Sequence, residues 1–395
     1  MRIFILFQLF FSVYAFILPF RKTAYNFINK ENFEKKKPDI DVNLDVDLGM
    51  NHNLPEQYNL NWYVIGEEKQ MRKNKIEKIT IWGKDYAVWT NGTSYLAVDN
   101  SCTHRGASLS IGKLNKNNNN IVCPYHAYEF DGTGKLTHVP GLKNFTNTKC
   151  QNLNTYPVVA RNGWIYMNTI NEQVYKPPEN IQIYNEPEAN SKNFKAIFIN
   201  KDFNAYSRIV SENSLDVMHI GFVHSFGNAE EPSPTSEVPP YLVGDFPFHY
   251  KTIYNYTSGK DSMAKKVFAI KDLMIENEFI LPHTTIARVI FGNSTSTVIT
   301  FAQPINITHS KLFVKTYRNF WYQPYDNPLA NFINNIGDDF TTDMMRNTVI
   351  QDKAIVESIP LNKVDGIFNM KYDKIQNVYT TLYKKLIHNI SNFVP

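Results

Sequence analysis

Cysteine is scarce in this chain: 395 residues contain three, at 102, 123 and 150. So few cannot build a disulfide framework, despite a start that looks secretory, so the cysteines need another explanation. With 43% hydrophobic and 20% charged residues, the composition excludes both wholesale disorder and a polytopic membrane protein. Charge of one sign does not accumulate either. The formal net charge is +4, and the basic residues are interleaved with acidic ones, leaving no block to follow a phosphate backbone. The runs Lys35-Lys36-Lys37 and Lys384-Lys385 read as solvated faces, and no nucleic-acid partner is expected. No G-x-G-x-x-G follows a strand-like run, which removes a built-in flavin or nicotinamide site. What remains is a globular chain long enough for two ordinary domains.

Arg2 precedes an apolar run from Ile3 to Leu18, followed by Pro19, Arg21 and Lys22. Residues 1–20 thus read as a signal peptide, with an uncleaved anchor and membrane association through it as the alternative. Ala15-Phe16 and the basic, hydroxyl-bearing stretch after it resemble the bipartite presequences of algae with complex plastids. That resemblance implies plastid delivery, with the secretory pathway as the alternative. Residues 21–57 read as a transit-like linker. Six Asn-x-Ser/Thr sequons begin at 91, 144, 255, 293, 306 and 389; in so asparagine-rich a chain, chance accounts for most of them.

From Trp62 onward short β-rich runs alternate with turn residues. Ile79–Trp82 and Tyr86–Thr90 flank Gly83-Lys84-Asp85, Asn91-Gly92 leads into Tyr95–Val98, and Asn162-Gly163 predicts a type I′ turn. Within this unit lie Cys102-Thr-His104 and Cys123-Pro-Tyr-His126. Each supplies one thiolate and one imidazole, so the thiolates can hold one iron and the imidazoles a second, as in a Rieske [2Fe–2S] centre. A Cys2His2 zinc site uses the same ligand types but pairs like with like, whereas each piece here mixes them.

The stretches Cys102 to Gly112 and Cys123 to Gly132, then Pro140-Gly141, resemble the Rieske non-haem iron oxygenases. The family usually has proline at Thr103, glycine at Ala127 and tryptophan at Tyr128; none of these departures removes a ligand. The resemblance implies a [2Fe–2S] cluster held by Cys102, His104, Cys123 and His126.

Further on, Glu212 to His224 reads as a helix. Asp216 and His219, three apart, share a face, whereas His219 and His224, five apart, point roughly 140° from each other on an unbroken helix. Gly221 between them could relax it. Two imidazoles and a carboxylate leave positions open on a metal for O2 and substrate. Spacing leaves the carboxylate open among Asp338, Asp339, Asp343 and Asp352. The family pattern D-x-x-H-x-x-x-x-H and the late acidic motif, similar to Gln351-Asp352 through Glu357, imply a mononuclear Fe(II) on His219, His224 and Asp352. They also imply that Asp216 accepts a hydrogen bond from His104 or His126 of a neighbouring subunit in a head-to-tail homotrimer. The alternative is that Asp216 orients His219. Asn213 either influences the iron or caps the helix.

Phe248–Tyr256, Val267–Lys271, Thr285–Phe291, Thr297–Ala302 and Lys311–Trp321 read as strands, and Tyr379–Val394 as an amphipathic helix on the core. Aromatics such as Phe246, Phe248, Tyr250, Phe291 and Phe301 serve either a pocket or the core. The expected fold is α+β: an all-β Rieske domain over 58–172, then a helix-grip-like catalytic domain over 173–395 with a curved antiparallel sheet. The resemblance implies a terminal oxygenase supplied by a ferredoxin or flavin reductase, hydroxylating or demethylating a small aromatic or pigment-like substrate. The tail favours the monooxygenase and O-demethylase branch, with the pheophorbide and chlorophyllide oxygenases as the analogue if plastid delivery holds. The alternative is a Rieske electron-transfer protein without oxygenase chemistry.

Overall fold

The computed structural model describes residues 61–386 except 72–74, 143–150, 175, 177–182, 225–229, 231, 245, 247, 258–268 and 367–369. The signal-like segment 1–20, the stretch 21–57 with its lysine run, Cys150, and the sequons at 144 and 389 lie outside the described residues. No helix of the described residues is long and apolar enough to cross a membrane.

Among the described residues ten short strands make up the first part: β1 (Trp62–Glu67), β2 (Glu77–Ile81), β3 (Lys84–Thr90), β4 (Tyr95–Asp99), β5 (Lys113–Leu114), β6 (Ile121–Val122), β7 (Glu129–Phe130), β8 (Leu136–His138), β9 (Val158–Arg161) and β10 (Trp164–Asn168). They form three antiparallel sheets, ordered β1-β10-β9, β2-β3-β4 and β5-β6-β7-β8. Asn162-Gly163 makes the expected turn, with φ of 53° and 81°. The β2–β3 turn is tighter than the expected Gly83-Lys84-Asp85: Ile81 pairs with Lys84, and Trp82 and Gly83 take φ of 51° and 78°. Trp82 tolerates this because it is tied down, its indole donating to the Tyr63 hydroxyl at 3.1 Å and its backbone N–H to the Pro304 carbonyl at 3.1 Å. The core of this part packs Trp89, Leu109, Ile121 and Phe130 around Cys102 and Cys123.

The second part is a seven-stranded antiparallel sheet built from β11 (Lys195–Phe203), β12 (Ser236–Leu242), β13 (His249–Thr257), β14 (Asp272–Ile280), β15 (Thr284–Phe291), β16 (Ser294–Pro304) and β17 (Ser310–Arg318). The order is β11-β17-β16-β15-β14-β13-β12. The strand expected at 267–271 lies instead at β14; residues 267 and 268 are outside the described residues. Glu276 and Glu278 hid β14 in the sequence. Arg288 on the next strand meets them at 2.7 and 3.0 Å, so two carboxylates are accommodated on one face. Pro239 and Pro240 disguised β12; they sit at a register shift on an edge strand, where a missing N–H is tolerated.

Among the described residues four helices accompany this sheet: α1 (Ser207–Leu215), α2 (Ile220–Val223), α3 (Pro328–Val356) and α4 (Lys374–Leu386). Helix α4 buries Ile375, Val378, Tyr379 and Leu382 against Phe248, Phe279 and Leu281, with Tyr250 and Phe246 alongside. Phe248 and Tyr250 thus serve this core, while Phe246 also lines a cavity with Phe301, Tyr184 and Pro282. The two β assemblies share a further core in which Trp62, Val64, Trp164 and Tyr166 meet Ile286, Ile299, Phe301 and Phe313. A buried ion pair fastens the same junction: the Lys315 ammonium lies 2.6 Å from the Glu186 carboxylate and donates to the Asn162 carbonyl at 2.6 Å.

Helix α3 opens on Asn327, whose side chain accepts the Ala330 N–H, with Pro328 in the first turn. It lies across β11, packing Met345 and Val349 on Ile197, Ile199 and Val314. Where it crosses Arg318 the chain has Gly337, and a Cβ there would stand 2.4 Å from the guanidinium carbon. That guanidinium is buried and donates to the carbonyls of Phe320, Trp321 and Asn334 and to Asp338 at 2.6–2.8 Å. It has nowhere to retreat. Gly337→Ala is expected to destabilise the protein by about 2 kcal/mol or more, although alanine is the better helix former by about 1 kcal/mol. The denaturation midpoint measures this; a stabilised variant would contradict the clamp.

Candidate metal centres

The two Cys/His pieces form matching loops. Cys102 N–H donates to the Ala107 carbonyl and Gly106 N–H to the Cys102 carbonyl; Cys123 N–H donates to the Tyr128 carbonyl and Ala127 N–H to the Cys123 carbonyl, all at 2.8–3.1 Å. Gly106 and Ala127 occupy equivalent positions, four residues past each cysteine, and both have positive φ, 74° and 57°. That geometry explains a glycine at the first position; the alanine at the second bears a cost of about 1 kcal/mol. Gly112 ends the first motif where a Cβ would stand 2.2 Å from the Val122 carbonyl oxygen, so the first loop presses on the strand that delivers Cys123.

Both cysteines are buried and both histidines exposed. Burial, with Cys123 alongside, pushes the Cys102 thiol up to about 11. Adjacent buried thiolates are thus costly unless a cation neutralises them. On the outer side the His104 and His126 rings lie 4.7 Å apart between centroids. Tyr128 stacks on His104 at 4.7 Å, with 2° between the planes, and Tyr125 lies 3.8 Å from His126. Thiolates inside and imidazoles outside fit a two-iron cluster with one iron on each pair.

The expected continuous helix from 212 to 224 is broken, and the break comes at Asp216 instead of Gly221. Helix α1 ends at Leu215, and Asp216 turns extended, with φ −75° and ψ 120°. Its carboxylate accepts the backbone N–H groups of Met218 at 2.7 Å and His219 at 3.3 Å. An aspartate that satisfies the following N–H groups in this way stops one helix and starts the next. His219 and His224 then flank the single turn of α2, which removes the angular conflict of an unbroken helix.

Their Nε2 atoms lie 3.1 Å apart, and Asp352 Oδ1 lies 3.3 Å from one and 3.2 Å from the other. Three donor atoms at about 2.1 Å from one metal and at right angles to each other would be about 3.0 Å apart, so the spacing suits one octahedral face. His219 Nδ1 faces the Asp216 carbonyl at 2.7 Å. A carbonyl only accepts, so the neutral ring keeps its proton on Nδ1 and turns a lone pair on Nε2 toward His224 and Asp352. His224 Nδ1 lies 3.1 Å from Gln351 Oε1. Asp352 Oδ1 is itself buried with no aligned donor. Acceptors meeting acceptors is the arrangement of a cation site, and the donor atoms of these three residues all lie within 4.8 Å of one another. Burial alone would raise the Asp352 carboxyl, but when protonated the two imidazoles outweigh it and hold the group well below the usual carboxylate range.

The other aspartates are employed elsewhere or exposed. Asp338 binds Arg318 and Lys195, Asp343 pairs with Arg346 at 3.9 Å on the surface, and Asp339 is exposed. Asp216 Oδ2 is 3.9 Å from His219 Nδ1, so the short contact to that ring comes from the backbone carbonyl. Asn213 is half-buried in the last turn of α1, where its carbonyl accepts the Asp216 N–H. In the sequence, the signal for Gln351 is its place directly before Asp352.

The profile of the Rieske [2Fe-2S] domain family matches residues 61–157. The chain is 34% identical over 109 residues to the 4beta-methylsterol monooxygenase of Methylococcus capsulatus, spanning 27% of this chain and 29% of that protein. It is 28% identical over 184 residues to the chloroplastic pheophorbide a oxygenase of Arabidopsis thaliana, spanning 41% of this chain and 32% of that one. These alignments thus cover about a third or less of each relative. Dicamba monooxygenase bound to dicamba superposes with a TM-score of 0.68 at 19% identity, covering 84% of this chain and 98% of that one. That likeness establishes the expected α+β fold, an all-β Rieske part followed by an antiparallel sheet with helices.

Asp352→Ala is expected to leave the cluster's absorption and electron paramagnetic resonance unchanged while one iron per chain is lost. Iron quantitation measures this, and full iron content in the variant would hand the carboxylate position to another residue.

Proposed function

We propose that this chain, a member of the Rieske non-haem iron oxygenase family, is the terminal oxygenase of a system that hydroxylates or demethylates a ring-bearing organic substrate. The observation that carries the reading is the convergence of His219, His224 and Asp352 in a chain whose first part is a Rieske domain. When bound, the [2Fe–2S] cluster supplies electrons singly and the mononuclear iron supplies a site for O2 activation. Cys102 and Cys123 hold one iron of the cluster, and His104 and His126 hold the other at the surface. His219, His224 and Asp352 hold the mononuclear iron by one face and leave the opposite face to O2 and substrate. A Rieske electron-transfer protein, the alternative, has no use for a second convergent site.

Residues 58–172 and 173–395 are taken as the two domains. Asp216 serves as the bridge between centres. Its Oδ1 is occupied by its own backbone, and Oδ2 has no hydrogen bond among the described residues, which suits it to accept one from His104 or His126 of a neighbouring subunit in a homotrimer. Asn213, one turn earlier, is assigned to the surroundings of the iron. A ferredoxin or flavin reductase supplies the electrons. The sterol- and pheophorbide-named relatives share a large lipophilic ring system, and we extend that substrate class to this chain. Plastid delivery belongs to the same proposal, supported by the presequence-like residues 1–57 and the chloroplastic relative.

Protein reconstituted with iron, a reductant and O2 is to be incubated with sterol, pheophorbide-type and phenolic-ether substrates. The expected outcome is O2 uptake coupled to one oxygenated product; a reducible cluster with no O2 uptake on any substrate favours the electron carrier. Asp216→Ala is expected to retain both centres, reduce its cluster normally and lose turnover by about a hundredfold or more, since removing a coupling contact misplaces the transfer geometry. Unchanged turnover removes the bridging role.

A further inference from the structure

We propose that Gln351 is a positioning residue that fixes the ring orientation and tautomer of His224, and so decides whether the site at 219, 224 and 352 retains its metal. The inference rests on the reading of that site as an iron centre.

A neutral imidazole carries one N–H, and the nitrogen that faces an acceptor keeps it. For His219 the acceptor is the backbone carbonyl of Asp216, which no substitution removes. For His224 the acceptor at 3.1 Å is the side-chain oxygen of Gln351. Gln351 directly precedes the carboxylate of the same site, and the two side chains leave α3 about 100° apart. That divergence lets consecutive residues reach opposite edges of one ring: Asp352 lies 3.2 Å from Nε2 and Gln351 lies 3.1 Å from Nδ1. The helix thereby grips the imidazole at both nitrogens.

His224 is buried, 6% exposed, so ring orientation there is set by contacts more than by solvent. Without the amide oxygen the Nδ1 proton loses this acceptor. Moving it to Nε2 would point an N–H at the metal position and remove the lone pair that coordination needs. The backbone around Gln351 is well placed to hold the amide still: the next residue but one, Lys353, donates to the Asp202 carbonyl at 2.6 Å and pairs with Glu357. Further back, Arg318 pins the same helix at Asp338.

The test uses the full-length protein with its cluster intact and measures Fe(II) binding to the third iron site by anaerobic equilibrium dialysis. Gln351→Met keeps the length and removes the acceptor; Gln351→Glu keeps an acceptor oxygen. We expect Gln351→Met to bind Fe(II) about 10- to 100-fold more weakly, the range seen when an outer hydrogen-bond partner of a ligand is removed. Gln351→Glu should restore affinity to within about threefold of the parent, with cluster spectra and melting temperature unchanged in both. Parent-like Fe(II) affinity in Gln351→Met would overturn the proposal, as would equal losses in both variants, which would mark a packing role. If the parent itself bound no third iron, the reading of the iron centre would fall and this inference with it, an outcome distinct from failure of Gln351 alone.

Discussion

Two imidazole nitrogens and a carboxylate oxygen, each turned lone pair first toward the others at 3.1–3.3 Å, are an unfavourable arrangement unless a cation lies among them. Much of the second part of the chain can be understood as the framework that imposes it. Asp216 stops α1 and frees the backbone to place His219 and His224 on either side of one turn. Helix α3 brings Asp352 from more than a hundred residues away and is held in register by Arg318, which passes beneath Gly337 to reach Asp338. In each case a buried hydrogen-bonded group fixes a backbone position, and the metal-facing atoms follow from it.

The first part solves a different problem with loops. Two similar turns present buried sulfurs and exposed imidazoles, so charge that is costly inside is placed where iron can offset it, and the imidazole edge faces outward. Tyrosines flank both imidazoles and restrict their ring planes. The shared core of Trp62, Trp164, Phe301 and Phe313, with the Lys315–Glu186 pair, makes the two parts of one chain a continuous packed body.

The cluster motifs were legible because their chemistry is local: Cys102 with His104 and Cys123 with His126 are separated by one and two residues, and the Asn162-Gly163 turn declares itself in two letters. His219, His224 and Asp352, brought together by the structure, were legible only through a family pattern, because spacing alone left four aspartates eligible. What the sequence concealed was long-range compensation. Glu276 and Glu278 disguised β14 because their partner Arg288 lies on another strand. Gly221 offers the conformational freedom to relax the helix, whereas the determinant of the break is the Asp216 carboxylate capping the N–H groups of Met218 and His219. Gln351 carried no signal beyond adjacency, since its contact crosses 127 positions.

The central claim is that one chain holds two chemically different iron sites. Mössbauer spectroscopy of protein loaded with iron-57 and reduced tests it most directly. The account predicts absorption in a two-to-one ratio, with cluster irons that divide into sulfur-ligated and mixed sulfur–nitrogen environments and a separate high-spin ferrous component with nitrogen and oxygen ligands. A spectrum accounted for by the cluster irons alone would contradict it.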